Sequence, residues 1–243
     1  MQRLLFAPAG RRKLPGQRAL DRVLARLSAE ELFWFCETRA AGPIYVLPTL
    51  ELVLGLAGMI RELTRPGSTV LEVAAGDGFL TQSLKRLEPS LRWQACDSGA
   101  WLNPHARMSP GERREQLGNI RGLQLGPEVQ RAKAVAAIRA FRPAVVIASW
   151  LPPGKLFERI LRAPCRFVIE IGAGGGVTGQ GEWGWRFAHD FAPASVEKLA
   201  RSRLDAGGDR RTQITIYRGR LHPEFREERP RPGDWLAQFK PAR

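Results

Sequence analysis

Two carboxylates and a run of small residues define the chemistry open to this chain. Glu72 stands near the end of a β-branched stretch, and Ala74, Ala75, Gly76, Asp77 and Gly78 follow closely. Asp97 comes nineteen residues after Gly78, at the end of another apolar stretch. Glycine reaches backbone angles closed to other residues and lets a ligand approach the main chain. A helix starting just after such a turn presents unpaired N–H groups. A carboxylate at the next strand end offers two acceptor oxygens, the spacing a vicinal diol requires. Strand, glycine turn, helix and distant acid together suit a nucleotide-like ligand. Each residue also has a plainer role. Gly76 and Gly78 fit a tight turn without ligand, Glu72 an ordinary strand-end carboxylate, and Asp97 a helix N-cap in Asp97-Ser98-Gly99.

The elements that must position these residues follow from hydrophobic periodicity. Leu20, Val23, Leu24, Leu27, Leu32 and Phe35 predict a helix over 18–38, with Ser28 as a cap ahead of Glu30 and Glu31. A strongly apolar helix is predicted over 49–63, stopped by Pro66-Gly67. Strands are predicted at 69–74, 91–96, 144–150, 166–171 and 212–218, with a shorter one at 120–125. Helices are predicted at 79–87, at 127–142 with Pro127 as its first residue, at 155–162 and at 194–204. Residues 102–120 give no assignment. Strands alternating with helices predict a three-layer αβα Rossmann-like fold on a mostly parallel sheet, with ligands at the carboxyl ends of the strands. The chain divides into a flexible basic arm (1–17), an N-terminal helical cap (18–64), the core (65–218) and a Pro- and charge-rich tail (219–243).

The chain has 243 residues, 44% of them hydrophobic, enough for one buried core. Its longest apolar run, 47–60, is interrupted by Glu51, Gly55 and Gly58, so it reads as a buried helix and not a membrane span. Cys36, Cys96 and Cys165 are too few and too scattered for a disulfide framework or a zinc site. A reducing, cytoplasmic setting is expected, with no metal. An Arg-rich start resembles a mitochondrial presequence, but no serine precedes Ser28. The net charge of +14 sits mainly at the ends, +6 in residues 1–26 and +3 in residues 218–243. Basic termini suit a nucleic-acid partner, though 32 arginines against six lysines also fit GC-rich codons.

The segment from Val70 to Gly78 resembles the first motif of the class I S-adenosylmethionine-dependent methyltransferases, an acid followed by alternating glycines. Asp97 falls where that family's second motif places its acid. The stretch from Ala144 to Gly154 resembles the fourth-strand segment beside the transferred methyl. The resemblance covers roughly residues 48–218. It implies S-adenosylmethionine as cofactor, bound by Glu72, Ala74, Gly76, Gly78, Asp97 and Ser98, and a sheet whose last strand is antiparallel. It also implies methyl transfer, with Ser149, Trp150 and Pro152 as candidates beside the reacting groups and Glu170 as a further acceptor-positioning candidate. An RNA methyltransferase and a non-catalytic cofactor-binding protein remain alternatives, and the oligomeric state and acceptor stay open.

Two departures matter. Ala74 replaces the first glycine, so its methyl narrows the approach. Ser149-Trp150-Leu151-Pro152-Pro153 is not the Asn/Asp-Pro-Pro-aromatic motif of amine methylation. Trp101 and Trp150 are candidate ring walls, and His105 falls in the unassigned stretch. Gly174-Gly175-Gly176-Val177-Thr178-Gly179 formally fits a dinucleotide fingerprint, but the residues after it make a poor helix. A loop bordering the acceptor, with Trp183 and Trp185 as walls, suits it better.

Overall fold

The strand Thr69–Val73 (β1) is buried from Val70 onward, so it needs a neighbour on each side and a cover over each face. In the computed structural model it has both. The structure describes residues 1–8, 10–37, 42–100, 102–103, 109, 122–173, 177–179 and 186–228. β1 pairs in parallel with Arg92–Asp97 (β2) and with Val145–Ser149 (β4). Val129–Arg131 (β3) extends the sheet beyond β2, and Phe167–Ala173 (β5) beyond β4. Thr212–Arg218 (β7) then pairs antiparallel with β5 and with the edge strand His189–Phe191 (β6). The order is β3-β2-β1-β4-β5-β7-β6, with β7 reversed. The last strand is antiparallel, as expected. Strand order reverses between β1 and β4, and a crevice forms beyond the carboxyl ends at such a switch point.

Side chains alternate across the sheet and sort the helices onto two faces. Val70, Val145, Ile147, Phe167 and Ile169 pack towards Leu50–Leu63 (α4), Phe79–Leu87 (α5) and Ala194–Glu197 (α8). Leu71, Val73, Val146, Ala148 and Val168 pack towards Ala134–Phe141 (α6) and Leu156–Leu161 (α7). This is a three-layer, doubly wound α/β fold. α4 starts where expected because the Thr49 hydroxyl accepts from the Leu52 N–H at 3.1 Å.

Several expectations differ from the structure. The helix over 18–38 is two helices, Gln17–Leu24 (α2) and Ala29–Glu37 (α3). Ser28 and Glu31 form a reciprocal capping box, with Glu31 N–H donating to Ser28 Oγ at 3.1 Å and Ser28 N–H to Glu31 Oε2 at 2.8 Å. A box that strong starts a new helix. Pro127 opens no helix. It takes the second place of a turn in which Val129 N–H donates to Gly126 O at 3.0 Å, and β3 follows. Residues 122–125, the described part of the strand expected at 120–125, form no strand. The helix expected at 194–204 ends at Glu197, because the chain turns to pair with the cap: Leu47 N–H donates to Arg201 O at 2.8 Å and Arg203 N–H to Tyr45 O at 3.0 Å.

The described parts of both ends of the chain are attached to the rest of the fold. Residues 1–17, expected as a flexible arm, begin with a short helix, Gln2–Leu5 (α1), and fold back as a hairpin. Leu5 and Phe6 are buried beside Leu20, Leu24, Leu32 and Leu47, a small core shared with the cap. Two apolar side chains in a basic, proline-broken stretch are enough to dock it. α4, assigned to the cap from sequence, packs on the sheet. The first ten residues of the tail are also held: Gly219 N–H donates to Arg166 O at 2.8 Å, and Arg162 forks onto both oxygens of Glu227 at 2.6 and 3.0 Å. Residues 229–243 lie outside the described residues.

Candidate functional site

Where β1, β2 and β4 end, the chain encloses a cavity of about 310 Å³. That is the size range of pockets for cofactor-sized ligands. Glu72, Ala74, Gly76 and Asp77 line it from the β1 turn, Asp97 from β2, and Ser149, Trp150 and Pro152 from the end of β4. Three stretches far apart in sequence meet because parallel strands place their carboxyl ends together.

The turn after β1 takes its shape from alternate left-handed residues. Ala74, Gly76 and Gly78 have φ of 54°, 55° and 70°. Gly78 caps α5, and a Cβ there would lie 2.7 Å from Val129 Cγ2. Ala74 carries the one side chain of the three, and its methyl packs against the α6/α7 face of the core. Left-handed backbone costs a non-glycine residue about 1 kcal/mol. Ala74→Gly is therefore expected to leave stability unchanged or raise it by up to about 1 kcal/mol, where the same change in a helix would lower it. Urea unfolding measures this. Gly76→Val would both fill the cavity edge and strain the turn, since a Cβ on Gly76 already comes 3.2 Å from Leu123 Cδ1.

Asp97 is 5% exposed and clamps the turn from the side. Its Oδ2 accepts from Gly76 N–H at 3.1 Å and its Oδ1 from Gly99 N–H at 2.8 Å. Each oxygen keeps acceptor capacity for a ligand. Glu72 is buried beneath the turn, where its Oε2 accepts from both the backbone N–H (3.0 Å) and the hydroxyl of Thr81. Burial above all pushes its carboxyl up to about 7, against the pull of the Thr81 hydrogen bonds. Asp77 has two tasks. Its Oδ1 accepts from Phe79 N–H at 3.1 Å in the first turn of α5, and its Oδ2 from Arg12 at 2.8 Å.

Trp150 has φ of 54° and is 9% exposed, an outlier for a bulky side chain. Its N–H donates to Ile171 O at 2.7 Å, which fixes the backbone as it leaves the sheet. Strain of this kind costs on the order of 1–3 kcal/mol and gathers at functional sites.

The remaining candidates fall elsewhere. Gly78 and Ser98 do not line the cavity; Ser98 Oγ accepts from Ala100 N–H at 3.2 Å in an exposed turn. Glu170 is buried in β5 on the α6/α7 side of the sheet, across from Thr215, and does not reach the cavity. Trp101, His105, Trp183, Trp185 and Gly174–Gly176 lie outside the described residues. Of the glycine loop, Val177 lines the cavity, and Thr178 Oγ1 returns to the strand end, accepting from Ala173 N–H and donating to Ala173 O, both at 3.0 Å. Among the described residues no cluster of His, Cys, Asp and Glu fits a metal, and all three cysteines are buried.

The sequence reading expects the segment 18–64 to cap the cofactor but names none of the residues of the opposite wall. Phe6, Arg12, Glu37, Tyr45, Leu123 and Arg203 line it, all from the cap or from loops. Arg203 pairs with Glu37 and stacks on the Tyr45 ring at 4.7 Å. Burial lowers its pKa; burial, then the charge of Asp97, raises that of Tyr45. Gly126 was also missed. Its N–H donates to Gly76 O at 3.3 Å, and a Cβ there would stand 2.0 Å from Asp77 O. Gly126→Ala must displace the cavity turn, with an expected stability loss of about 1–3 kcal/mol by urea unfolding. Its only sequence signal is the Gly126-Pro127 pair, which reads simply as a turn.

No family model matches the sequence, and no curated protein does. Solved structures are similar to the chain only at low identity and low TM-score. A cyclopropane-fatty-acyl-phospholipid synthase-like protein from Lactobacillus casei is 18% identical over 51% of this chain and 49% of its own, with a TM-score of 0.32. TrmK of M. capricolum, in complex with S-adenosylhomocysteine, is 11% identical over 69% and 68%, with a TM-score of 0.37. A human methyltransferase 10 domain containing protein is 9% identical over 84% and 96%, with a TM-score of 0.41. The chain thus spans about half the length of the first of these. The fold itself, read from strand order and register, is a doubly wound, Rossmann-like α/β fold with β7 reversed.

Proposed function

We propose that this protein is an S-adenosylmethionine-dependent methyltransferase whose cofactor lies in the cavity between the β1 turn and the cap. The observation that carries this reading is Asp97: a buried carboxylate at the end of β2, aimed along the cavity wall and tied to the glycine turn by Gly76 N–H. The residues present fit the group. Asp97 would take the ribose hydroxyls, the open backbone at Gly76 would admit the chain that follows, and Glu72 would underlie the amino-acid end. The cofactor would supply a methyl group activated by the positive charge on its sulfur.

The protein's share of the work is alignment. Well-oriented reactants gain up to about 7–11 kcal/mol without any acid or base. Trp150, Pro152 and Pro153 line the cavity beside Ser149, and Pro43, Ile44 and Val46 of the cap line it as well. An acceptor held against these residues would meet the methyl group in line. A proton acceptor is needed only for a nucleophile that arrives protonated.

The test is transfer of a labelled methyl group from S-adenosylmethionine to fractionated cell extract. Labelled product with the wild type and none with Asp97→Ala supports the reading. Binding of the cofactor with no transfer to any fraction would leave a cofactor-binding protein without turnover.

A further inference from the structure

We propose that Arg12 is a carboxylate receptor, carried by the N-terminal hairpin to take the α-carboxylate of the cofactor's methionine end. The proposal rests on the reading of the cavity as an S-adenosylmethionine site. Its geometry comes from residues 5–13. Ala7 N–H donates to Arg11 O and Lys13 N–H to Leu5 O, both at 2.9 Å, so the segment is a hairpin with Arg12 across from Phe6. Leu5 and Phe6 anchor it in the small core of the cap. Arg12 is thereby placed over the glycine turn instead of in solvent, and it lines the cavity.

The guanidinium is fixed from two sides. Nη1 donates to Asp77 Oδ2 at 2.8 Å, and the group lies 4.2 Å above the Phe79 ring. Its further contact, Nη2 to Val46 O, is long at 3.5 Å. Arginine has five donors in a planar fork, and these contacts leave capacity for a carboxylate. A part-exposed ion pair such as Arg12–Asp77 contributes little to stability, so holding a rigid cation at a cavity edge needs another reason.

The charges around the cavity supply it. Glu72, Asp77 and Asp97 line the glycine-turn side, and Arg12 is the cation facing them there. Arg203, the other lining cation among the described residues, is paired with Glu37 on the cap. An amino-acid end brings one ammonium and one carboxylate. Glu72 matches the first, and Arg12, oriented by Asp77 and Phe79, matches the second.

The experiment compares two probes, S-adenosylhomocysteine and its decarboxylated analogue, by calorimetric titration of the full chain. In the wild type, loss of the carboxylate is expected to weaken binding about tenfold or more. In Arg12→Gln, S-adenosylhomocysteine should itself bind about tenfold more weakly, with the two probes within about twofold of each other. Arg12→Lys keeps the charge without the fork and should fall between. A purely structural arginine would weaken both probes alike, so an unchanged ratio in Arg12→Gln overturns the proposal. Equal binding of the two probes by the wild type overturns it too. If Arg12→Gln melts before titration, a wild-type ratio in Arg12→Lys overturns it and a narrowed ratio supports it. Failure of both probes to bind the wild type would remove the cofactor reading itself, and this inference with it.

Discussion

Glu72→Gln is expected to make the ligand-free protein more stable at pH 8 by about 3 kcal/mol, with no comparable gain at pH 4.5. Burial pushes the carboxyl from 4.5 up to about 7; Thr81 and Arg12 pull it down and Asp77 adds to the rise. The folded protein therefore holds this proton more tightly than the unfolded chain. The contribution to stability is full below about pH 4.5 and is lost as pH rises to about 7, at about 1.4 kcal/mol per pH unit. Above that it stays lost, because an ionised carboxylate is kept in a place that disfavours it. Glutamine keeps an acceptor oxygen for Thr81 and never ionises. Urea unfolding at pH 4.5 and pH 8 reads the difference, and parallel losses in the two proteins would contradict it. A positively charged amino group beside Glu72 would favour the ionised form. S-adenosylhomocysteine affinity should then fall by up to about tenfold per pH unit below 7 in the wild type, and less steeply in Glu72→Gln.

Asp97→Ala is expected to weaken S-adenosylhomocysteine binding by about 2–4 kcal/mol, on the order of a hundredfold. Two effects combine. The ligand loses hydrogen bonds to a buried, charged acceptor. The cavity turn also loses its clamp, because Gly76 and Gly99 N–H both donate to this carboxylate. Asp97→Asn keeps the shape and one acceptor oxygen, so it should fall between wild type and alanine. Equal affinities in all three proteins would place the ribose elsewhere.

The cavity floor was legible because its signals are local. β1, its glycine turn and α5 are contiguous, β4 is an apolar run of strand length, and β2 and β7 alternate apolar with polar residues. Ala74 stands out in the sequence for replacing a glycine, and its left-handed backbone turns its methyl onto the core. A cap over the site is expected from 18–64, but the residues that line it were not legible, since their contacts span long separations. Arg12 meets Asp77 across 65 residues, and Glu37 meets Arg203 across 166. Nothing in a basic, proline-broken stretch distinguishes a docked hairpin from a loose arm except Leu5 and Phe6. β3 and β6 have three residues each and exist because β2 and β7 offer them an edge, a tertiary effect that overrides local preference. Glu170, placed near the acceptor from its strand, faces the wrong way because side chains alternate along β5.

The central claim is that the β1 turn and Asp97 form one wall of an S-adenosylmethionine site. A calorimetric titration of the wild-type protein with S-adenosylhomocysteine at pH 8, repeated with Asp97→Ala, tests it most directly. One-site binding by the wild type, weakened about a hundredfold in the variant, is the expected result. No heat of binding from the wild type with either S-adenosylhomocysteine or S-adenosylmethionine would contradict it.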